Sequence, residues 1–157
     1  MGSQPIRTFR DLDAWQAAMD LTVCAYRLIR LLPPTERFEL SGQIRRAAVS
    51  IPANIAEGHC CGKDGRYLSH LGIAQGSLGE LETELEIARR LGFITTQDYG
   101  EAERLLVRTG QVLHGLARSV RRRRFERLGS RLSLLAVPLL PGLLFVFRQH
   151  LFALFLS

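Results

Sequence analysis

Apolar residues recur at three- and four-residue steps along most of the chain, and this period constrains the fold more than any other feature. An α-helix brings positions with this spacing onto one face, whereas a strand needs alternation, and no convincing alternation precedes residue 130. Four segments carry such a stripe, separated by breaks at Pro33-Pro34, at 62–65 and at Gly92. The sequence therefore predicts an all-α fold.

The four stripes define the predicted inward faces of the helices. They are Leu12, Trp15, Met19, Val23, Tyr26 and Ile29; Ile44, Ala48, Ile51, Ile55 and Gly58; Tyr67, Leu71, Ala74, Leu78, Leu81, Leu85 and Ala88; and Tyr99, Ala102, Leu106, Leu113, Leu116 and Val120. Amphipathic helices joined by short connectors are typical of an antiparallel up-and-down four-helix bundle. Thr95 or Thr96 is expected to cap the fourth helix, with Asp98 in its first turn.

Pro52 interrupts the second segment, inside the sequence SIPANIAEG at 50–58. Proline lacks the backbone donor of a helix interior and either ends or bends the helix. Because the apolar phase continues from Ile51 to Ile55, we predict one helix with a kink rather than two helices.

Residues around Pro52 are assigned local structural roles rather than catalytic ones. Ser50 is expected to bond to a carbonyl that the proline frees, and Asn54 to satisfy backbone groups near the kink. Glu57 is expected to pair with a neighbouring arginine. Gly58 is expected to let the chain leave the helix.

Gly72, Gly76 and Gly79 stand at near-turn spacing in the third segment. Each glycine costs about 1 kcal/mol in a helix interior, so their presence suggests close approach by another helix, with flexibility as the alternative. Such spacing could also bring a second copy of the chain close, although it is mainly a membrane packing signature.

Charge and apolar composition divide the chain into a bundle at 9–121 and an extension at 122–157. Residues 118–157 carry eight arginines and one carboxylate, whereas residues 1–117 carry thirteen basic and fourteen acidic side chains. The extension is basic and then apolar, and its stretch from Leu132 to Phe147 is shorter than the roughly 20 residues of a membrane span. It is interpreted as a poorly ordered or interacting tail, with a membrane anchor as the alternative.

The sequence contains no motif of an enzyme, a cofactor site or a metal site. Glu82 and Glu86 share a helical face, which offers a carboxylate pair, but a solvated acidic face or ion pairs explain the spacing better. Cys24, Cys60 and Cys61 form no disulfide framework, and the nearby histidines lack zinc-ligand spacing. We therefore expect a non-enzymatic, reduced cytoplasmic protein without cofactor or metal.

Two long motifs, QIRRAAVSIPANIAEG (43–58) and IAQGSLGELETELEIARRLGFI (73–94), resemble a bacterial four-helix-bundle family. Its founding members are encoded in intervening sequences of 23S ribosomal RNA genes, and it includes the accessory variability determinant of diversity-generating retroelements. The resemblance runs from about Phe9 to Val120 and implies a ring-shaped homopentamer. In the retroelement members the ring binds nucleic acid and a partner reverse transcriptase, whereas most other members have no established activity.

The leading hypothesis is an oligomeric scaffold that binds RNA or a ribonucleoprotein. Its predicted nucleic-acid-binding residues are Arg45, Arg46, Arg89, Arg90, Arg118, Arg121, Arg122, Arg123 and Arg124, because the planar guanidinium suits phosphate. For Arg45 and Arg46 the alternative is pairing with glutamates such as Glu82 or Glu86; for Arg121–Arg124 it is a solvated helix end.

Two alternative functions remain. One is a protein-interaction module that docks a partner such as a reverse transcriptase without touching nucleic acid. The other is a bundle tethered to a membrane through residues 132–157, which we rank below the others because no full-length span is present.

Overall fold

The computed structural model describes residues 6–136, except for the side chains of Arg37 and of residues 130–136. Its α-helices are α1 (Asp13–Ile29), α2 (Leu40–Cys60), α3 (Asp64–Arg90) and α4 (Thr96–Ala136), with 3₁₀ turns at Phe9–Asp11 and Pro34–Arg37. No strand occurs in this part of the chain. The all-α class is confirmed, and the four helices are consistent with a four-helix bundle. The chain divides into two units, Met1–Arg121 and Arg122–Ser157.

The predicted inward faces of α2, α3 and α4 are confirmed. Ile44, Ile51 and Ile55 of α2 are fully buried, as are Leu71, Leu81 and Leu85 of α3. Helix α2 packs against both α1 and α3. Helix α4 joins α1 through the buried Thr109, whose hydroxyl donates to the carbonyl of Ala17 at 3.3 Å.

The predicted inward face of α1 is confirmed at Leu12 and Ile29 but is wrong at Val23 and Tyr26. Val23 and Tyr26 are 48% and 44% exposed, whereas the core of α1 is built mainly from small residues. The buried residues of α1 are Ala14, Ala17, Ala18, Leu21, Cys24, Ala25, Leu28 and Ile29. Small side chains let helix axes approach closely, so alanines occupy positions of this face that the pattern of large residues does not reveal.

Helix α2 continues through Pro52, and a side chain of α1 bonds to the carbonyl that the proline frees. A proline at position 52 removes the donor that would reach the carbonyl of Ala48 one turn earlier. The hydroxyl of Thr22 lies 2.9 Å from this oxygen and 2.8 Å from the carbonyl oxygen of Ala18. Thr22 is therefore the side-chain donor at the Ala48 carbonyl, and its one hydroxyl hydrogen is shared with the carbonyl of Ala18. The bond predicted from Ser50 to a freed carbonyl stays a prediction. The bend itself stays a prediction.

Asn54 stabilises the turn of α2 after Pro52, as predicted. Its Nδ2 donates to the carbonyl of Ser50 at 2.9 Å and to the Ser50 hydroxyl at 3.1 Å. The hydroxyl of Ser77, on α3, donates to the same Ser50 oxygen at 2.8 Å. A polar chain thus crosses between α2 and α3 beside an otherwise apolar core.

Replacing Thr22 by valine is expected to destabilise the protein by about 1–2 kcal/mol, because the carbonyl of the buried Ala48 loses its side-chain donor while the side-chain volume stays the same. Thr83→Val is the matched control, since the Thr83 hydroxyl donates to the Gly79 carbonyl at 2.8 Å on the exposed face of α3. Thr83→Val should lower the free energy of unfolding by less than about 0.5 kcal/mol. Urea denaturation measures both; equal losses would contradict the role of Thr22.

Gly58 lies where α2 and α3 approach closely. A Cβ at this position would lie 2.5 Å from Cδ2 of Tyr67 and 3.0 Å from Cβ of His70. The helix continues to Cys60, so the prediction that Gly58 ends it is wrong. The chain turns instead at Gly62, whose φ of 64° lies in the left-handed region that glycine adopts without strain.

The glycines of α3 do not mark a helix contact within the chain. A Cβ built on Gly72, Gly76 or Gly79 would meet no atom within 4 Å. All three positions are exposed. Among the described residues the predicted close approach is therefore wrong, and its relevance to a second copy of the chain stays a prediction.

Candidate nucleic-acid interface

Arg45 and Arg46 lie in the first half of α2, ahead of Pro52. Arg45 is half-buried and Arg46 is exposed. The charge of Arg46 acts on Glu84 of α3, whose ionised form it favours. Arg46 therefore lowers the pKa of Glu84, whereas the sequence suggested Glu82 or Glu86 as its partner.

Arg89 and Arg90, at the end of α3, are held by Glu86 of the same helix. Arg89 donates through Nε and Nη2 to the two carboxylate oxygens, each at 2.7 Å, and Arg90 donates through Nε at 2.7 Å. These hydrogen bonds lower the pKa of Glu86 to about 2. The Arg89 guanidinium also lies 5.5 Å from the ring centroid of Tyr99 on α4. Their part in binding nucleic acid stays a prediction.

An open groove of about 740 Å³ separates the end of α3 from the start of α4. The start of α4 is fixed by a reciprocal cap in which the Thr95 amide donates to Asp98 at 3.2 Å and the Asp98 amide donates to the Thr95 hydroxyl at 3.1 Å. The cap predicted there is confirmed, with Thr95 as the capping residue. The charged side chains that line the groove are Glu82, Glu86, Glu103, Arg89 and Arg90. Its carboxylates outnumber its guanidinium groups, so phosphate is disfavoured there.

The predicted arginines of α4 are all exposed. Arg118 and Arg121 lie near the end of the first unit, and Arg122, Arg123 and Arg124 begin the second. Within the second unit, Nε of Arg122 lies 3.8 Å from Oε1 of Glu126. Exposed pairs at this distance are weak, so Arg122 keeps most of its capacity for another anion.

Two arginines of α4 that the sequence reasoning missed lie on the same face as Arg118. Arg104 precedes it by 14 residues and Arg108 by 10, which places them about 40° and about 80° from Arg118 around the helix axis, within the exposed half of α4. All three are exposed. Residues 104–121 contain four arginines and no carboxylate. The helical spacing of Arg104 and Arg108 was the available signal, but it was hidden in a segment whose overall charge is negative.

These four side chains, Arg104, Arg108, Arg118 and Arg121, are here named the α4 basic face. In the part of the chain that the structure describes, none of them forms an ion pair. The acidic side chains of α4 that precede this face are Asp98, Glu101 and Glu103, in the first two turns of the helix. Arg104 and Arg118 are about 21 Å apart along the helix. The face therefore offers a positive strip long enough to contact several phosphates.

Glu84 is a half-buried carboxylate on α3. Its Oε2 is buried and has no hydrogen-bond partner among the described residues. Burial raises the pKa of Glu84 to about 7, the charge of Glu80 adds to the increase, and Arg46 opposes it. Near neutral pH this side chain is therefore partly protonated.

Replacing Glu84 by glutamine is expected to stabilise the protein at about pH 8 by about 1 kcal/mol, a value reduced by solvent screening of the half-buried group. The folded pKa lies above the unfolded one. Wild-type stability should therefore fall as pH rises from about 4.5 to about 7, while the folded state keeps a proton that the unfolded state releases. Thermal melts of both proteins across this range test the sign. If Glu84→Gln stabilised the protein as much at about pH 4 as at about pH 8, ionisation of Glu84 would not be the cause of the effect.

A second polar cluster joins the end of α2 to the start of α3. Nδ1 of His70 lies 3.1 Å from Oδ1 of Asn54 and 3.5 Å from Oε2 of Glu57. Nε2 of His70 lies 3.9 Å from Sγ of Cys61. Glu57 thus contacts a histidine and not the arginine that was predicted. Among residues 6–136 no group of three or more His, Cys, Asp or Glu side chains is arranged to hold a metal ion.

The apolar extension is mostly outside the described residues. No helix within residues 6–136 is long and apolar enough to cross a bilayer. Residues 137–157, on which the membrane-tether alternative mainly rests, lie beyond the described part of the chain.

Comparisons with known proteins agree with the fold. The family model described as 23S rRNA-intervening sequence protein matches residues 10–115. A crystal structure of a protein with unknown function, from the S23 ribosomal protein family of Bacteroides thetaiotaomicron VPI-5482, aligns with a TM-score of 0.62 and 24% sequence identity. The alignment covers 67% of this chain and 95% of that chain. At this identity the likeness concerns the fold alone. No curated protein matches this chain.

Proposed function

The chain belongs to the 23S rRNA-intervening sequence protein family, and we propose that it is a non-enzymatic oligomeric scaffold that binds structured RNA. The family description relates such proteins to ribosomal RNA genes, which makes RNA the first partner to test. The observation that carries the proposal is the α4 basic face, where arginines without a carboxylate partner in the described part of the chain follow one exposed side of a helix.

The α4 basic face suits the phosphate backbone rather than base edges. Guanidinium groups donate to phosphate in pairs, and contacts of this kind position a protein on nucleic acid without reading its sequence. Binding of this type releases counterions and depends steeply on salt. We therefore expect affinity for helical or folded RNA in general, with specificity supplied by its shape.

Oligomerisation is part of the proposal because apolar side chains remain on the outer surface of the bundle. Val23, Tyr26, Val49 and Ile73 are each between 44% and 53% exposed. A homopentameric ring would cover part of this surface and repeat the α4 basic face around its axis, which multiplies the phosphate contacts. The bend of α2 at Pro52, predicted from the sequence, is kept as part of this proposal. Light scattering of the full-length protein should give about five times the monomer mass; a monomer would contradict the ring.

Fluorescence anisotropy with a labelled RNA hairpin tests RNA binding directly. We expect binding at about 50 mM salt and a loss of affinity of at least tenfold by about 200 mM. A DNA duplex of the same sequence is the comparison: phosphate contacts alone should bind it, whereas recognition of the shape of RNA should make the RNA the tighter ligand. No binding of either probe at low salt would contradict the proposal.

A protein-docking function is the second candidate, and the groove between α3 and α4 favours it. Its carboxylates lie beside Ile87, which is 42% exposed, so the surface combines negative charge with apolar area. A basic partner such as a reverse transcriptase fits this chemistry. This function predicts a complex that survives nuclease treatment and weakens when Glu82 and Glu103 are replaced by glutamine.

A further inference from the structure

We propose that Cys61 is a reactive thiol that exchanges with low-molecular-weight disulfides, with His70 as its proton acceptor. The two side chains face each other across the turn between α2 and α3, with Sγ 3.9 Å from Nε2. A nucleophile beside a base that is itself oriented by a third group is the arrangement that activates thiols in proteins. This modification site is independent of RNA binding.

The hydrogen bonds around Asn54 determine which nitrogen of His70 faces the thiol. Nδ2 of Asn54 donates to Ser50, so its Oδ1 is the atom that remains to accept. Nδ1 of His70, 3.1 Å from that oxygen, must then carry the proton of the neutral ring. Nε2 consequently presents its lone pair to Cys61.

Glu57 supports the same proton transfer. Its Oε2 lies 3.5 Å from Nδ1 of His70, on the side of the ring opposite Cys61. When the ring accepts the thiol proton it becomes a cation, and the nearby carboxylate stabilises that charge. Asn54 and Glu57 are therefore positioning residues, whereas His70 contacts the reacting atom.

The exchange step balances without any further reactant. His70 takes the proton of Cys61, and the thiolate attacks one sulfur of the disulfide. A new S–S bond forms at Cys61 while the disulfide S–S bond breaks. The leaving thiolate takes the proton from His70. The Cys61 sulfur is oxidised and the second sulfur of the small molecule is reduced.

The other cysteines provide an internal comparison. Cys60, the adjacent residue, is exposed, whereas Cys61 is half-buried. If accessibility alone controlled the reaction, Cys60 would react faster. Cys24 is buried, and burial raises the pKa of its thiol, so it should be the slowest of the three in the folded protein.

Single-cysteine variants of the full-length protein test the proposal. Cys24→Ala with Cys60→Ser leaves Cys61, and Cys24→Ala with Cys61→Ser leaves Cys60. The probe is 5,5′-dithiobis(2-nitrobenzoate), whose released thiolate is followed by absorbance. We expect Cys61 to react about tenfold faster than Cys60 in the folded protein. In urea, where the structure is lost, the two rates should be equal.

His70→Gln tests the base, because glutamine can still bond to Asn54 but cannot take the thiol proton. It should lower the Cys61 rate to about that of Cys60 or below, and leave the Cys60 rate unchanged. Circular dichroism of each variant is the check that the fold is kept. A Cys60 rate equal to or above that of Cys61, or a Cys61 rate unaffected by His70→Gln, would overturn the proposal.

Discussion

Replacing Arg104, Arg108, Arg118 and Arg121 together by glutamine is expected to lower RNA affinity about a hundredfold at low salt. Each arginine that contacts a phosphate adds about one to the slope of log affinity against log salt, so this slope should fall by about three to four. All four side chains are exposed. The fold should therefore tolerate the change, and anisotropy titrations at several salt concentrations measure the effect.

The control for this experiment removes the same charge elsewhere. Arg7, Arg10, Arg30 and Arg66 are exposed and lie outside α4. Their replacement by glutamine should reduce affinity only a few-fold, through the general field of the protein. Equal losses in the two quadruple variants would show that total charge, and not the α4 basic face, drives binding.

A third variant separates the two units of the chain. Arg122, Arg123 and Arg124 belong to the unit that follows Arg121. If replacing these three by glutamine removed binding while the α4 basic face variant still bound, the site would lie in the second unit. That result would contradict the site proposed here and leave Arg122, Arg123 and Arg124 as the arginines, among those predicted from the sequence, that bind RNA.

Replacing Gly58 by alanine is expected to lower the free energy of unfolding by about 2 kcal/mol. Alanine should gain about 1 kcal/mol of helix propensity, but its Cβ would lie 2.5 Å from the Tyr67 ring. Both residues are buried, so α2 and α3 would have to separate or the ring would have to turn. Urea denaturation followed by circular dichroism measures the loss.

Gly115→Ala is the matched control for this second result. Gly115 also lies inside a helix, but it is exposed and a Cβ there would meet no atom within 4 Å. Alanine should therefore stabilise α4 by about 0.5–1 kcal/mol. If Gly58→Ala were stabilising as well, the close approach of α2 and α3 would be contradicted. Combining Gly58→Ala with Tyr67→Leu should cost less than the sum of the single changes.

Apolar periodicity predicts most of the fold, and its one error has a physical cause. The stripes of α2, α3 and α4 stand out because large aliphatic residues occupy them. In α1 four of the eight buried residues are alanines, while Val23 and Tyr26 are exposed. A pattern read from large residues cannot show that close helix packing prefers small ones.

The candidate sites were harder to predict because they depend on three-dimensional proximity. Arg104 and Arg108 lie in a stretch whose acidic residues are mostly on α3, so a charge count along the sequence hides the α4 basic face. His70 and Cys61 lie nine residues apart on opposite sides of a turn. No fixed sequence spacing identifies such a pair, because it is the turn at Gly62 that brings the two side chains together.

The bond between Thr22 and the carbonyl of Ala48 fixes the register of α1 against α2. Two apolar helix faces can slide by one turn, about 5.4 Å, and still bury similar area. The proline leaves this carbonyl without its helical donor at one level of α2, and Thr22 lies opposite that level. A shifted alignment would place an unbonded oxygen against apolar side chains, so Pro52 helps the bundle to select one alignment among several of similar packing energy.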